Sequence, residues 1–145
     1  MSKTQLIIVG AGGFAREVIW LARQIQEQSG PSQSFEIRGL ISQGQAGEKV
    51  LGLPILGDEE WAFRELDPSI RFVLAIGDPK LRARLAKRYE SLGFRPYQLI
   101  HPNLKVHPSV HIGDGAILCA GVQLTVNIRI ENYVILNLNA TVGHD

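Results

Sequence analysis

The amino-acid sequence predicts an α/β domain with a parallel sheet over residues 1–100, followed by the first coils of a parallel β-helix over residues 106–145. Strand and helix patterns alternate through the first part, as they do in a parallel sheet with flanking helices. Apolar residues recur every six positions in the second part, which is typical of a hexapeptide β-helix. Only four of the 29 Asp, Glu, Lys and Arg residues lie beyond residue 105. The Pro-containing stretch 101–105 is therefore the expected junction.

The first domain begins with a buried strand and continues in alternation. Short apolar runs predict strands over residues 5–9, 35–41, 54–56, 71–76 and 94–99. Apolar residues at helical spacing predict helices over residues 14–28, over a short stretch entered through Asp58, and from Pro79 to the stop at Gly93. Asp78 and Pro79 suit the N-cap and first position of the last helix.

The second domain repeats one pattern with a period of six. Aliphatic residues occupy the first place of every unit: Val106, Ile112, Leu118, Leu124, Ile130, Leu136 and Val142. Small or branched apolar residues follow four places later: Val110, Ala116, Val122, Ile128, Val134 and Ala140. A period of six fits neither the 3.6 residues of a helical turn nor a plain alternation. Each unit is therefore expected to form one short strand with its first residue directed inward.

A glycine-rich turn separates the first strand from the first helix. Gly10, Gly12 and Gly13, followed by Phe14, let the backbone turn sharply and approach a ligand, while the helix N-terminus offers free N–H groups to a phosphate. The spacing also satisfies a loose dinucleotide fingerprint. The second strand, however, ends at Ser42 and Gln43 without the carboxylate that would hold NAD ribose. A turn that only packs helix on strand stays open as an alternative.

A second turn, at Gly77 and Asp78, opens on the same edge of the sheet. The following helix carries Arg82 and Lys80, either of which could meet a phosphate at the carboxyl ends of the strands, where α/β ligands bind. An ordinary capped helix with solvated charges is the alternative.

Charge and composition exclude several classes of function. The formal net charge of +1 provides no basic footprint for nucleic acid. No apolar run approaches the roughly 20 residues that span a bilayer. The single cysteine, Cys119, rules out an internal disulfide framework and multi-cysteine zinc patterns. We expect a cytoplasmic protein without a membrane or nucleic-acid partner and without a metal.

The ordered set of motifs resembles one family. It consists of GAGGFAREV at 10–18, AIGD at 75–78 with Arg82, IHP at 100–102, and the hexapeptides. Together they resemble the bacterial sugar O-acyltransferases of the sialic acid O-acetyltransferase NeuD family and its PglD-type relatives. The resemblance implies a Rossmann-like N-terminal domain that holds a sugar or UDP-sugar through both turns and Ser42. It also implies a left-handed β-helix that binds acetyl-CoA between neighbours in a homotrimer.

The same resemblance assigns a catalytic pair at the end of the chain. The run 137–145 matches the family motif that carries the general base, which falls on His144 with Asp145 as its acidic neighbour. Histidine can accept a proton at neutral pH from an attacking amine or hydroxyl, and a carboxylate can orient the ring. Considered without the family, a lone histidine so close to the end is more often a surface residue.

The chain also departs from the family pattern. Phe14 stands where many PglD-type relatives have histidine, and Ser42 stands where an acidic residue often helps to hold the nucleotide. The family's β-helix continues for several more coils, so we expect a shortened chain that binds the sugar substrate and transfers acetyl groups poorly. Two alternatives remain open: a non-catalytic sugar-nucleotide module, and an NAD(P)-dependent oxidoreductase.

Overall fold

The computed structural model describes residues 3–30 and 35–145. The elements of the first domain are β1 (Thr4–Val9), α1 (Gly13–Gln28), β2 (Phe35–Ile41), β3 (Lys49–Val50), β4 (Leu53–Gly57), α2 (Glu59–Glu65), β5 (Arg71–Leu74), α3 (Pro79–Ser91) and β6 (Arg95–Pro96). They form one sheet in the order β3-β4-β2-β1-β5-β6. All pairs in it are parallel except β3 with β4.

The order of the strands creates a crevice at the centre of the sheet. From β1 the chain passes through α1 to β2 on one side, whereas α2 leads to β5 on the other side of β1. Connections of opposite direction leave a gap above the carboxyl ends of β1 and β5. Ligands of open α/β sheets bind at such a switch point.

Both faces of the sheet are buried, which explains why the last four residues of β1, 6–9, are all apolar. Leu6 and Ile8 belong to the core beneath α1, and Ile7 and Val9 belong to the core beneath α2 and α3. α1 is 16 residues long. Within the described ranges, none of the helices combines the length and apolar character that crossing a membrane requires.

One hairpin was not predicted. The strand expected at 54–56 extends over Leu53–Gly57 and pairs with the two-residue strand Lys49–Val50. Leu51 and Gly52 make the turn, with φ of 49° and 84°. Gly52 is a usual turn residue, but leucine is unusual in a left-handed conformation, so the pair Leu51-Gly52 does not match the common two-residue hairpin turns.

The second domain stacks into coils of 18 residues. Its strands are β7 (Leu99–Ile100), β8 (His111–Ile112), β9 (Ile117–Leu118), β10 (Gln123–Leu124), β11 (Arg129–Ile130), β12 (Ile135–Leu136) and β13 (Thr141–Val142). β8 pairs with β11, β9 with β12 and β10 with β13, all in parallel and all 18 residues apart. Three six-residue units therefore make one coil with three faces, and the predicted fold class, an α/β domain followed by the first coils of a parallel β-helix, is confirmed.

The six-residue period places the predicted side chains inside the coils. Ala116, Ile128 and Ile130 form their buried centre. Of the thirteen repeat positions only Val106, 40% exposed, lies on the surface. It precedes β8, so no strand holds it inward.

The strand predicted at 94–99 is wrong, because the chain changes sheets within it. Tyr97 still donates its N–H to Phe72 of β5 (2.8 Å), whereas Leu99 donates to Ala116 of the β-helix (3.0 Å). β7 then pairs with β9. Leu99 and Ile117 are buried in the same core as α1. The two domains therefore share one hydrophobic core.

Candidate active site

The glycine turn after β1 has a backbone conformation that requires glycine. Gly10 has φ of 118°, and a Cβ there would lie 2.7 Å from the Ala75 carbonyl oxygen. Its N–H donates to the Ile41 carbonyl at 2.8 Å, which ties the turn to the end of β2. The ends of β1, β2 and β5 come so close together here that the backbone requires glycine at position 10, whether or not a ligand binds.

Gly12 and Gly13 face open space instead. Gly12 is the N-cap of α1 without a side-chain cap, and, apart from the chain neighbours and the helix backbone, no atom of the described residues lies within 4 Å of a Cβ built at either glycine. The first turn of α1 contains no acidic residue. Exposed N–H groups in this first turn suit an anionic ligand, and the nearest carboxylate along α1 is that of Glu17, one turn further on.

In the second turn, Asp78 caps a helix. Its carboxylate accepts the N–H groups of Lys80 (2.8 Å) and Leu81 (3.2 Å) at the start of α3. The contacts of Asp78 are therefore those of an ordinary helix cap, the alternative interpretation of this turn. A role in holding substrate stays a prediction.

Arg82 braces the second turn against the β-helix. Its Nη1 donates to the carbonyls of Ile76 (2.8 Å) and Gly77 (3.2 Å), and its Nε donates to the Tyr133 carbonyl (3.1 Å). The sequence motif predicted a phosphate-binding arginine. The structure shows this guanidinium holding the turn in place beside the cleft it lines.

A cleft of about 610 Å³ opens where these turns meet the second coil of the β-helix. We name it the coil-edge cleft. It is lined by Gly13, Phe14, Glu17, Gly77, Arg82, Ile135, Asn137 and Leu138. Four of the eight were predicted. Glu17 lies one helical turn after Gly13 and could have been found by that spacing. The β-helix residues of the lining could not have been found from the sequence, because only the packing of the two domains brings them to the cleft.

A smaller cavity of about 210 Å³ lies on the α2 and α3 side of the same edge. We name it the strand-edge cavity. Its polar lining is Ser42, Gln43 and Glu59, and its remaining walls are Val9, Gly10, Ala11, Ile41, Ile76, Leu81 and Leu85. The predicted residues Gly10 and Ser42 are therefore here, while Gly12 and Asp78 line neither cavity.

The predicted catalytic pair is in contact. His144 Nδ1 lies 3.0 Å from Asp145 Oδ2, with side chains 79% and 68% exposed. The pair follows β13, which pairs with β10 on a different face from β12. The lining of the coil-edge cleft includes neither residue.

The remaining candidate side chains have structural surroundings. His101 is buried and accepts the N–H of Asn103 at 3.2 Å, and His107 accepts that of Ser109 at 3.1 Å, so both shape turns. Cys119 is buried, and burial raises the pKa of its thiol. Among the described residues, no group of three or more His, Cys, Asp and Glu is placed to hold a metal ion.

Tyr133 joins the two domains and has no sequence signal. It has φ of 62°, its hydroxyl donates to Glu90 at 2.6 Å, and its ring stacks on Phe72 with centroids 6.2 Å apart. Burial, together with the Glu90 hydrogen bond and charge, raises the pKa of its hydroxyl. Arg82 donates a hydrogen bond to the Tyr133 carbonyl, so residues of α3 contact both the backbone and the side chain of Tyr133.

Replacing Tyr133 with phenylalanine is expected to lower the free energy of unfolding of the full-length protein by about 1 kcal/mol, because one charge-assisted hydrogen bond is lost. Urea denaturation of Tyr133→Phe, Glu90→Gln and the double variant measures the coupling. Tyr97→Phe is the matched control, since the Tyr97 hydroxyl makes no hydrogen bond with the described residues. Additive single effects would contradict the expectation.

Comparison with known proteins agrees with the architecture. The family model described as the PglD N-terminal domain matches residues 5–89. The chain belongs to the PglD N-terminal domain family. This confirms the resemblance to PglD-like sugar acyltransferases that the motifs predicted.

Relatives of this PglD-family chain are sugar acetyltransferases. It is 30% identical over 141 residues to GDP-perosamine N-acetyltransferase of Escherichia coli O157:H7, covering 95% of this chain and 61% of that protein. The acetyltransferase domain of PglB from Neisseria gonorrhoeae FA1090, solved with acetyl coenzyme A, has a TM-score of 0.85 at 29% identity, covering 99% and 66%. PerB from Caulobacter crescentus, solved with CoA and GDP-perosamine, has a TM-score of 0.81 at 30% identity, covering 99% and 65%. The chain thus spans less than two thirds of each relative.

Proposed function

We propose that this chain belongs to an acetyl-CoA-dependent sugar N-acetyltransferase and contains its nucleotide-sugar domain and its general base. The observation that carries the proposal is the coil-edge cleft, in which two turns of the α/β domain meet an edge of the β-helix. Relatives of the same architecture are sugar N-acetyltransferases, and one was solved with both CoA and a nucleotide sugar. An amino group on the sugar is therefore the favoured acceptor over a hydroxyl.

The nucleotide sugar is placed along the carboxyl edge of the sheet. The open N–H groups at Gly12 and Gly13 favour the diphosphate, because the N-terminus of the 16-residue α1 attracts negative charge. The sugar then extends into the coil-edge cleft between Phe14 and Asn137. Arg82 holds the Gly77 turn that forms the opposite wall.

His144 is the proposed general base. The sugar amine attacks the thioester carbonyl of acetyl-CoA and its proton passes to the unprotonated ring nitrogen. Collapse of the tetrahedral intermediate expels the CoA thiolate, which takes that proton from the imidazolium and regenerates the base. The contact of 3.0 Å with Asp145 orients the ring and stabilises the imidazolium. No covalent acyl-enzyme is needed, which leaves Cys119 outside the chemistry.

The complete site is expected to need more than one copy of the chain. His144 follows a β-helix strand on a different face from the one that lines the coil-edge cleft. The homotrimer implied by the family resemblance would bring the histidine of one subunit to the cleft of another. A location in the cytoplasm is expected from the low cysteine content.

Thermal melting of the full-length protein tests the proposal. Ligands that bind the folded state raise the melting temperature. We expect a shift with a nucleoside diphosphate sugar and with acetyl-CoA, none with NADH, and release of free CoA thiol when an amino sugar nucleotide is added. Stabilisation by NADH alone would instead indicate an oxidoreductase. Binding of the sugar nucleotide without thiol release would indicate a non-catalytic module.

A further inference from the structure

The strand-edge cavity has one charged residue in its described lining, Glu59. Its walls are otherwise mostly aliphatic, with Ile41, Ile76 and Leu81 among them. A volume of about 210 Å³ is too small for a whole nucleotide sugar and suits a flat base. The glycine turn and the Ile76–Gly77 turn border both this cavity and the coil-edge cleft, so one extended ligand can occupy both.

The chain path explains how Glu59 reaches this position. β4 lies beside β2, and Ser42 donates its N–H to the Gly57 carbonyl at 2.9 Å, so the two strands end side by side. Asp58 then caps α2 by accepting the Trp61 N–H at 2.9 Å. The next residue, Glu59, therefore lies near Ser42 in the lining of the strand-edge cavity. The end of β2 itself has no carboxylate there.

The Glu59 carboxylate is also available to a ligand. Among the hydrogen bonds and ion pairs of the described residues, none involves its oxygens. Its negative charge acts on Tyr89 of α3. Burial raises the pKa of the Tyr89 hydroxyl most, and the charge of Glu59 raises it further. An unpaired carboxylate in a mainly apolar cavity favours a ligand with hydrogen-bond donors.

We propose that Glu59 recognises the nucleobase of the substrate and selects guanine over uracil. The inference rests on the proposed function, since it concerns the nucleotide part of the same ligand. Guanine presents two adjacent donors, N1–H and the 2-amino group, which match the two oxygens of a carboxylate. Uracil presents one N–H between two carbonyl groups, so the second carboxylate oxygen would face an acceptor. The aliphatic walls exclude water and strengthen this difference.

Nucleoside diphosphates without a sugar test the proposal in the full-length protein. Calorimetric titration compares three ligands. The base of GDP has both donors, the base of IDP keeps N1–H but lacks the 2-amino group, and the base of UDP is a pyrimidine. We expect GDP to bind about 10–100-fold more tightly than UDP, with IDP in between. Glu59→Gln is expected to weaken GDP binding by about 10–100-fold and to leave UDP binding within about threefold.

Glu60→Gln is the matched control, because Glu60 is also in the first turn of α2 but is exposed and outside the cavity lining. Its GDP affinity is expected to equal that of the wild type, and equal melting temperatures exclude unfolding as the cause of any loss. Equal affinities for GDP, IDP and UDP would overturn base selection. A Glu59→Gln loss shared by all three would instead place the carboxylate on the ribose. Binding of none of them, even by the wild type, would also overturn the proposed function.

Discussion

Replacing His144 with alanine in the full-length protein is expected to lower kcat for acetyl transfer by about 10²–10⁴-fold, because the group proposed to accept the amine proton is removed. The KM for the nucleotide sugar is expected to change little, since the contacts proposed for its diphosphate are made by the glycine turn of the α/β domain and not by His144. Steady-state kinetics that follow release of the CoA thiol separate the two parameters.

Two further variants distinguish catalysis from a structural effect. Asp145→Asn is expected to lower kcat by up to about fivefold, because both side chains are largely exposed and solvent weakens their interaction. His107→Ala removes another exposed histidine, one that shapes a turn far from β13 along the chain, and is expected to leave kcat unchanged. If His144→Ala retained kcat within about threefold of the wild type, His144 would not be the base.

The second large effect is expected from Gly10→Ala. The left-handed φ of 118° costs about 1–2 kcal/mol for a residue with a side chain. The added Cβ would also lie 2.7 Å from the carbonyl oxygen of Ala75, the residue that follows β5. A backbone oxygen cannot rotate away as a side chain can. We expect a loss of about 3 kcal/mol in the free energy of unfolding and a fall of roughly 6–12 °C in melting temperature.

Gly12→Ala in the same turn is the matched control. Gly12 has φ of −82°, which any residue can adopt, and in the part of the chain that the structure describes only its chain neighbours lie near the new Cβ. Its cost is expected to stay below about 1 kcal/mol, as for an N-cap change. Similar melting temperatures for the two variants would show that the turn adapts and that Gly10 is not required for folding. Thermal denaturation of both proteins under one condition decides the matter.

Local chemistry made much of the fold predictable. The strand–helix alternation predicted the parallel sheet, because a strand buried on both faces must be apolar throughout, as Leu6 to Val9 are. The six-residue period predicted the β-helix, and Asp78 with Pro79 predicted the start of α3. These signals depend only on residues close in the sequence, which explains why they were reliable.

The failures have equally definite causes. The hairpin of β3 and β4 was missed because its turn contains a leucine in a left-handed conformation. The strand at 94–99 was predicted as one because the pattern of apolar residues does not record which sheet each residue joins. The position of Glu59 in the strand-edge cavity was missed because Ser42, which lines the same cavity, belongs to a different strand and is brought close only by the pairing of β2 with β4.

The sequence alone therefore predicted the two architectures and the family, and it located the two turns at the carboxyl edge of the sheet. Tertiary structure decided how these parts work together. The shared core of Leu99, Ile117 and α1 docks the β-helix on the sheet, and Tyr133 with Arg82 holds that arrangement. Each of these contacts joins residues far apart in the chain. No local pattern encodes such distances, because they are set by the packing of whole elements that bury apolar surface together.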